Sequence, residues 1–572
     1  MHILGLYNQH DACAALYDDY RLIAAVAQER PTRRKGDGGG FPREAVAECL
    51  AEGGLSSGDV DVVCLPRTRY PKEHFRLRAH LPVPQRAKDG TLELIRVMVR
   101  NFVADPQAAF DARGYLSRQG LSPRDIYFYN HHLAHALSVL FHTRWDDALI
   151  YTSDGGGDRT FYSARVVRDG RLTELFGGEA ESRSYRRTQS KADSMGFLYH
   201  NVTRALGFRP LRHEGKVLGL AAFGKHIYAP VLRGFYRVGE DGQIKARVSA
   251  RQIVRAVDRM AAEGRREDVA ASVQQTLEDV TLAALERMLR RNPARNLGLC
   301  GGVFANVKLT QRIAERFAFD EVFVYPAMSD QGEGAGGALE YLCARDGLAH
   351  WLKQRTPLAN VYLGRDYTAG ADDVFRAGGA SAEVSAAKGQ NDLVPRVAEL
   401  IAEGKVVGTY LGRGEHGPRA LGARSIMASA ADRSINDWLN KRLDRTDFMP
   451  FAPVVRRERC ADVFDLPQSL MYTARFMTVT CNVKDEWKSR IPAVVHVDGT
   501  ARPQVVERST NPLYYDILRQ YEHRTGIPAL INTSFNVHEE PIINKPEEAL
   551  KALQMGRVDF VATETALWKM AA

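Results

Sequence analysis

Two histidines four residues apart, His131 and His135 in Asn130-His-His-Leu-Ala-His135, have the spacing that most directly implies chemistry. On a helix they share a face, one turn apart, and can offer two imidazole nitrogens to one ion. Leu133 and Ala134 leave no glutamate inside the pair, so the zinc-protease form of the motif has little support. Asp154 opens an Asp-Gly-Gly-Gly turn straight after an apolar run, and Asp330 follows another apolar run at residues 322–325. Two imidazoles and two carboxylates make a mixed nitrogen and oxygen set, which suits iron(II), manganese or zinc better than a thiophilic ion.

Glycines adjoin this set. Gly155 and Gly156 follow Asp154, and Gly301-Gly302 precede Asn306 where a helix is expected to start. Such turns let backbone N–H groups approach phosphate oxygens. The chain has no GxxxxGK[ST] loop and no GxGxxG after the first strand, which excludes two common nucleotide-binding forms.

Three strand-turn units position these residues. The first runs through residues 3–6, the turn Asn8-Gln-His10-Asp11, and residues 14–17 and 22–27. The second is residues 148–152, the turn 153–158 and residues 161–166; the third is residues 297–300 and Gly301-Gly302. Their order is that of a sugar-kinase or actin-type ATPase. Helical spacing covers residues 131–141 and 268–290. Mixed strands and helices predict an α/β domain of two lobes over 1–355, and a Gly- and Pro-bearing connection over 356–385. A second α/β domain is expected over 386–572, with strands at 406–410, 478–483 and 493–497 and a helical tail after Pro546.

Composition sets the outer limits. A length of 572 residues with 45% hydrophobic and 26% charged residues suits a multidomain globular protein. A net charge of +9 is mild for this length. It suits anionic small molecules and, without a basic–aromatic stripe, argues against nucleic acid. Seven widely spaced cysteines without CxxC argue against disulfides and cysteine zinc sites. No signal peptide and no 18-residue apolar stretch are evident, so the expectation is a cytoplasmic protein that does not cross a membrane.

Several segments resemble the O-carbamoyltransferase family of nodulation-factor and antibiotic-tailoring enzymes along nearly the whole chain. They are Gln9-His-Asp-Ala, Asn130-His-His-Leu-Ala-His-Ala, Ser153-Asp-Gly-Gly-Gly-Asp, Glu214-Gly-Lys-Val-Leu-Gly, Cys300-Gly-Gly-Val-Phe-Ala-Asn and Ser329-Asp-Gln-Gly. The second half adds Gly417-Pro-Arg-Ala-Leu-Gly, Phe448-Met-Pro-Phe-Ala-Pro, Val497-Asp-Gly-Thr-Ala-Arg and Asn532-Thr-Ser-Phe-Asn. The resemblance implies a first domain like the metalloprotein that completes tRNA threonylcarbamoylation, and a second domain of YrdC-like fold. It implies two linked reactions. Carbamoyl phosphate and ATP, with Mg2+, give carbamoyl adenylate in the second domain. The first domain then passes the carbamoyl group to a hydroxyl of a small molecule and releases AMP.

By the same resemblance His131, His135, Asp154 and Asp330 match the metal ligands, with Fe2+ the usual ion. Gly155, Gly156, Lys216, Gly301, Gly302 and Asn306 match the segments around the adenylate. His10 matches a histidine proposed to act near the acceptor hydroxyl, and Lys35 an acceptor-site lysine. Arg419, Arg445, Arg502, Asn532 and Ser534 match anion- and nucleotide-contacting positions. One stretch departs from the pattern: where some members carry Lys-x-Arg-Glu-x-x-Arg, this chain keeps Arg445 but has Leu443 and Met449 at the flanking basic positions.

The residues fit this chemistry. A histidine at position 10 can titrate near neutrality as a base for an alcohol. Lys216 and backbone N–H groups can compensate the charge of leaving AMP, and arginine forks suit phosphate and carbamate oxygens. An unstable intermediate needs shielding from water, so an enclosed passage between the domains is expected. Three other readings are a sugar-kinase-type kinase, a fused tRNA threonylcarbamoylation-type enzyme acting on nucleic acid, and a nucleotide-gated binding protein. The acceptor and the oligomeric state, including a homodimer, stay open. Residues 66–94 and 183–187 are the expected acceptor-facing segments.

Overall fold

Apolar runs between Asp-bearing turns become strands at the start of the chain: His2–Tyr7 (β1), Cys13–Asp18 (β2) and Arg21–Ala27 (β3). Asp11 and Asp19 take positive φ at the two turns, 57° and 47°. Asp tolerates this because its short side chain can bond locally. The computed structural model describes residues 1–67, 70–74, 76–78, 81–82, 110–183, 188–385, 392–444 and 451–571. Arg445, Met449 and most of the expected acceptor-facing segments lie outside the described residues.

Val62–Pro66 (β4) and Asp125–Tyr129 (β5) extend the first sheet with parallel strands, giving the order β3-β2-β1-β4-β5. A second sheet repeats the plan. Asp147–Gly157 (β6), Thr160–Arg168 (β7), Arg171–Phe176 (β8), Asn296–Cys300 (β9) and Glu321–Val324 (β10) lie in the order β8-β7-β6-β9-β10. In both sheets three antiparallel strands continue into two parallel ones. This duplicated order is the two-lobed α/β arrangement expected for the first domain. Two of the sequence's three strand-turn units are thus equivalent hairpins. The third follows an inner parallel strand and feeds a helix.

Two helices form the layer between the sheets. His131–Phe141 (α1) packs on β6 and β9, and Glu333–Asp346, the later helix, packs on β1 and against α1. Glycines set that close approach: a Cβ on Gly5 would lie 1.8 Å from the Gly334 carbonyl oxygen, and one on Gly336 would lie 2.4 Å from that of Ala134. Glycine costs a helix about 1 kcal/mol relative to alanine, so here packing overrides propensity. The long helix Arg266–Arg291 covers the predicted 268–290.

The second half is built on one mixed sheet of eight strands. Ala380–Ser385 (β11), Val407–Thr409 (β12), Ser425–Ser429 (β13), Ala452–Arg456 (β14), Gln504–Val506 (β15), Ala529–Ser534 (β16), Phe560–Ala562 (β17) and Ala566–Met570 (β18) take the order β11-β18-β17-β12-β13-β16-β14-β15. Leu393–Ala402 and Pro512–Thr525 pack together beside it through Val397, Ile401, Ile517 and Tyr521. This α/β unit fills the place expected for the YrdC-like domain. Three details differ from the sequence reading. Residues 356–385 include β11, which joins the large sheet beside β18. Residues 492–494 form a 3-10 turn rather than a strand. The tail is helical only over Pro546–Gln554, and β17 and β18 follow.

The halves meet through arginines that reach main-chain carbonyls. Arg30 Nη2 donates to Gly417 O at 2.8 Å, and Arg33 donates to Ile542 O at 2.7 Å and Pro541 O at 2.8 Å. From the other side Arg413 Nη2 donates to Ile23 O at 2.7 Å. Gly5→Ala is expected to destabilise the protein by about 1–3 kcal/mol, the usual range for overpacking. Urea denaturation measures it, and an unchanged midpoint would contradict the close packing of the Glu333–Asp346 helix on β1.

Candidate metal centre and the cavity beside it

Asn130 starts α1 by accepting from Leu133 N–H, and the helix presents His131 and His135 with ring centroids 4.7 Å apart. Asp154 arrives on β6, with Oδ2 3.3 Å from His131 Nε2 and 3.2 Å from His135 Nε2. Asp330 sits in the turn before the Glu333–Asp346 helix, with Oδ1 3.8 Å from each Nε2. One donor atom from each of the four lies within 4.8 Å of the others. The four side chains named from the sequence therefore converge, although they come from three separate segments.

The electrostatics fit a cation at that point. Burial acts to raise the Asp154 carboxyl, but the two imidazoles beside it prevail and hold it well below the usual carboxylate range. Burial, followed by the Asp154 charge, pushes Asp330 up to about 7. Two buried carboxylates converging on one point repel unless a positive charge lies between them. The donors are oxygen and imidazole nitrogen, a set that suits a borderline or hard divalent ion.

Other side chains surround the four. Tyr7 Oη donates to Asp330 Oδ2. His10 Nε2 lies 3.4 Å from the same oxygen, and its Nδ1 lies 3.6 Å from Asp11 Oδ2. Asp11 is in turn paired with Arg212 at 2.8 Å. Burial works against a charged His10, but Asp330 and Asp11 outweigh it and raise the ring to about 9. The sequence alone suggested a value near neutrality; two carboxylates account for the difference. A cation on the cluster would offset Asp330 and lower His10 again. Glu333, one turn beyond Asp330, faces both imidazoles from behind at 3.1 and 3.3 Å.

The glycine turns divide in role. Gly155 and Gly156 are exposed beside Asp154, but only Gly155 has open space around it: Gly156 has φ 133° and its Cβ would lie 2.7 Å from the Phe161 ring, and a Cβ on Gly157 would lie 2.1 Å from the His131 ring. Gly301 has φ 100°, and a Cβ there would lie 2.2 Å from Ser153 O. Gly302 lies against Asp154, its ideal Cβ 3.1 Å from Oδ1. The Asn306 side chain caps the helix Val307–Arg316 by accepting from Leu309 N–H at 3.0 Å, and donates to Gln274 at 2.7 Å. Its neighbours Ala305 and Val307 line a cavity.

That cavity, about 640 Å3, lies between the halves. Lys35 and Lys216 line it from the first half, and Arg419, Arg502, Asn532 and Ser534 from the second. His10 and the four converging residues are not on its lining; the Gly301–Ala305 turn connects the two regions, touching Asp154 at one end and the cavity at the other. Lys216 Nζ is 3.5 Å from His538 Nε2. Asn532 donates to Ala420 O at 3.1 Å and to Gln504 Oε1 at 2.5 Å, which holds the turn carrying Arg419. The Nε atoms of Arg419 and Arg502 are buried without an acceptor among the described residues. Burial lowers Arg419 to about 10; burial and then the Arg419 charge depress Arg502 well below its usual value. Adjacent half-buried cations of this kind favour an anion.

Sequence reasoning missed Glu333, Tyr7 and Arg212. Glu333 carries a local signal, because a residue three beyond Asp330 at a helix start returns to the same face. Tyr7 ends the strand before the His10 turn. Arg212 has no sequence signal, since it meets Asp11 only through the fold.

Metal-stripped protein is expected to gain thermal stability when Mn2+ or Fe2+ is added, by about 2.7 kcal/mol at a hundredfold excess over Kd. Asp154→Asn should abolish the gain in a calorimetric scan; an equal gain would place the cation elsewhere.

Two family models cover the chain, the carbamoyltransferase N-terminus over residues 2–339 and the carbamoyltransferase C-terminus over residues 398–569. The nodulation protein NolNO of Sinorhizobium fredii is 31% identical over 559 residues, spanning 95% of this chain and 76% of that protein. Nodulation protein U of the same species is 28% identical over 603 residues, spanning 100% and 99%. A ROK family glucokinase structure from Streptomyces griseus aligns with 59% of this chain and 98% of its own, at 14% identity and a TM-score of 0.29. Matched over most of its length in both halves, the chain belongs to the carbamoyltransferase family.

Proposed function

We propose that the protein is an O-carbamoyltransferase that makes carbamoyl adenylate in its second domain, 386–572, and consumes it in its first, 1–355. The cavity carries this reading, because it joins lysines of one half to a half-buried arginine pair of the other, whose Nε atoms have no acceptor among the described residues. Arg419 and Arg502 hold the phosphate and carbamate oxygens of carbamoyl phosphate, and Asn532 and Ser534 orient the nucleotide near them. Water cleaves carbamoyl phosphate to carbamate and inorganic phosphate; the carbamate oxygen then attacks the α-phosphorus of ATP and pyrophosphate leaves, with Mg2+ accompanying the nucleotide. The adenylate then moves through the cavity, shielded from water, toward the turn at Gly301-Gly302, where Lys216, Gly155 and Gly156 receive its phosphate.

His131, His135, Asp154 and Asp330 would hold Fe2+, which supplies Lewis acidity toward the carbamoyl carbonyl or the adenylate phosphate. In the transfer step the acceptor oxygen bonds to the carbamoyl carbon, the bond from that carbon to the phosphate oxygen breaks, and AMP leaves with the electron pair. His10, neutral when its carboxylate neighbours are compensated, takes the acceptor proton, with Arg212 and Asp11 fixing its ring. Lys35, which lines the cavity, would contact the acceptor. The acceptor is a hydroxyl-bearing natural product or oligosaccharide.

Incubation with ATP, carbamoyl phosphate, Mg2+ and Fe2+, without acceptor, is expected to yield pyrophosphate with AMP or carbamoyl adenylate, dependent on carbamoyl phosphate. ADP as the product would sink the proposal. Arg419→Ala and Arg502→Ala should each lower this partial reaction at least about tenfold, the scale of a lost hydrogen bond to a charged group. Arg30→Ala, whose side chain docks the halves outside the cavity lining, serves as a comparison.

A further inference from the structure

We infer that Glu333 is a positioning residue for both metal-ligating histidines, a role that rests on the metal-centre reading of His131, His135, Asp154 and Asp330. Each imidazole lies between two carboxylates. The Nε2 atoms of His131 and His135 lie 3.3 and 3.2 Å from Asp154 Oδ2. Their Nδ1 atoms lie 3.3 Å from Glu333 Oε2 and 3.1 Å from Glu333 Oε1, one oxygen to each ring.

Glu333 is fully buried, and neither of its oxygens has an aligned hydrogen-bond donor among the described residues. A buried carboxylate without aligned donors is unfavourable unless a nearby group compensates it. The groups at hand are the two Nδ1 atoms.

An imidazole that gives its Nε2 lone pair to a cation carries its proton on Nδ1. Two such rings present two N–H donors, and a single carboxylate has an oxygen for each. A Glu333 oxygen within reach of each Nδ1 favours the Nδ1–H tautomer in both rings and leaves both Nε2 lone pairs on the Asp154–Asp330 side. Cys300 Sγ makes the aligned hydrogen-bond contact to His135 Nδ1, at 3.4 Å, and Glu333 Oε1 faces the same nitrogen at 3.1 Å. Because Asp330 and Glu333 are three residues apart on one helix start, a single backbone turn supplies a ligand and the support for two others. The arrangement follows the general pattern in which the second nitrogen of a ligating histidine is held by a carboxylate.

Two measurements on the full chain test this. In metal-stripped wild type carrying 15N-labelled histidine, long-range correlation spectra should show Nδ1–H at both rings; an unprotonated Nδ1 at either ring would overturn the inference. The second is a Co2+ titration followed by its visible absorption bands. Glu333→Gln keeps the size but turns an NH2 group toward one Nδ1–H, and should shift the bands and weaken Co2+ binding by about 10–100-fold. Wild-type affinity and bands in Glu333→Gln, with binding still lost in Asp154→Asn, would overturn the role of Glu333 and leave the metal centre intact. Co2+ binding indifferent to His131→Ala and Asp154→Asn would instead remove the metal centre, and the inference with it. Should Glu333→Gln fail to fold, the wild-type tautomer spectrum decides alone.

Discussion

Charge convergence in a buried place governs this molecule. Asp154 and Asp330 approach the same two imidazole nitrogens from separate segments, and Glu333 closes the set from behind. Side chains of one sign stay this close away from water only when rings, hydroxyls and a cation share the charge. The surrounding architecture brings the segments together. Each sheet ends a hairpin at the cluster, α1 supplies the histidines, and the glycine-lined Glu333–Asp346 helix is drawn close enough to β1 to set Asp330 within reach of Tyr7 and His10.

The second half has the opposite electrostatic character. Arg419 and Arg502 stand together with no carboxylate beside them among the described residues, and burial lowers both. A negatively charged ligand suits one end of the cavity and a cation suits the cluster beyond its other end. The Gly301–Ala305 turn lies between these regimes. Residues without side chains to interpose, Gly301 and Gly302, let it press against Ser153 and Asp154.

Much of this was legible in the sequence because it depends on short spacings. The i, i+4 histidines required only a helix, and the helix forms with the predicted limits. The strand-turn units could be read because Gly and Asp mark turns between apolar runs. Pairings made by the fold were less legible. Nothing in the spacing of Asp11 and Arg212 indicates that they form an ion pair. The placement of Ala380–Ser385 beside Ala566–Met570 could not be read from a Gly-rich stretch that resembled a connection. His10 was identified by residue type, but its proton affinity depends on Asp330, which is remote in sequence.

The docking of the halves has an evolutionary consequence. Arg30, Arg33 and Arg413 all donate to main-chain oxygens across the seam, those of Gly417, Ile542, Pro541 and Ile23. A carbonyl is present whatever side chain its residue bears, so at these contacts the arginines must persist while the residues facing them can drift; Arg33 with Glu548 and Arg413 with Glu52 add pairs that bind side chains on both sides of the seam. Recombination between diverged lineages would then keep the carbonyl contacts, while the pairs made by Glu548 and Glu52 would have to be matched in both halves.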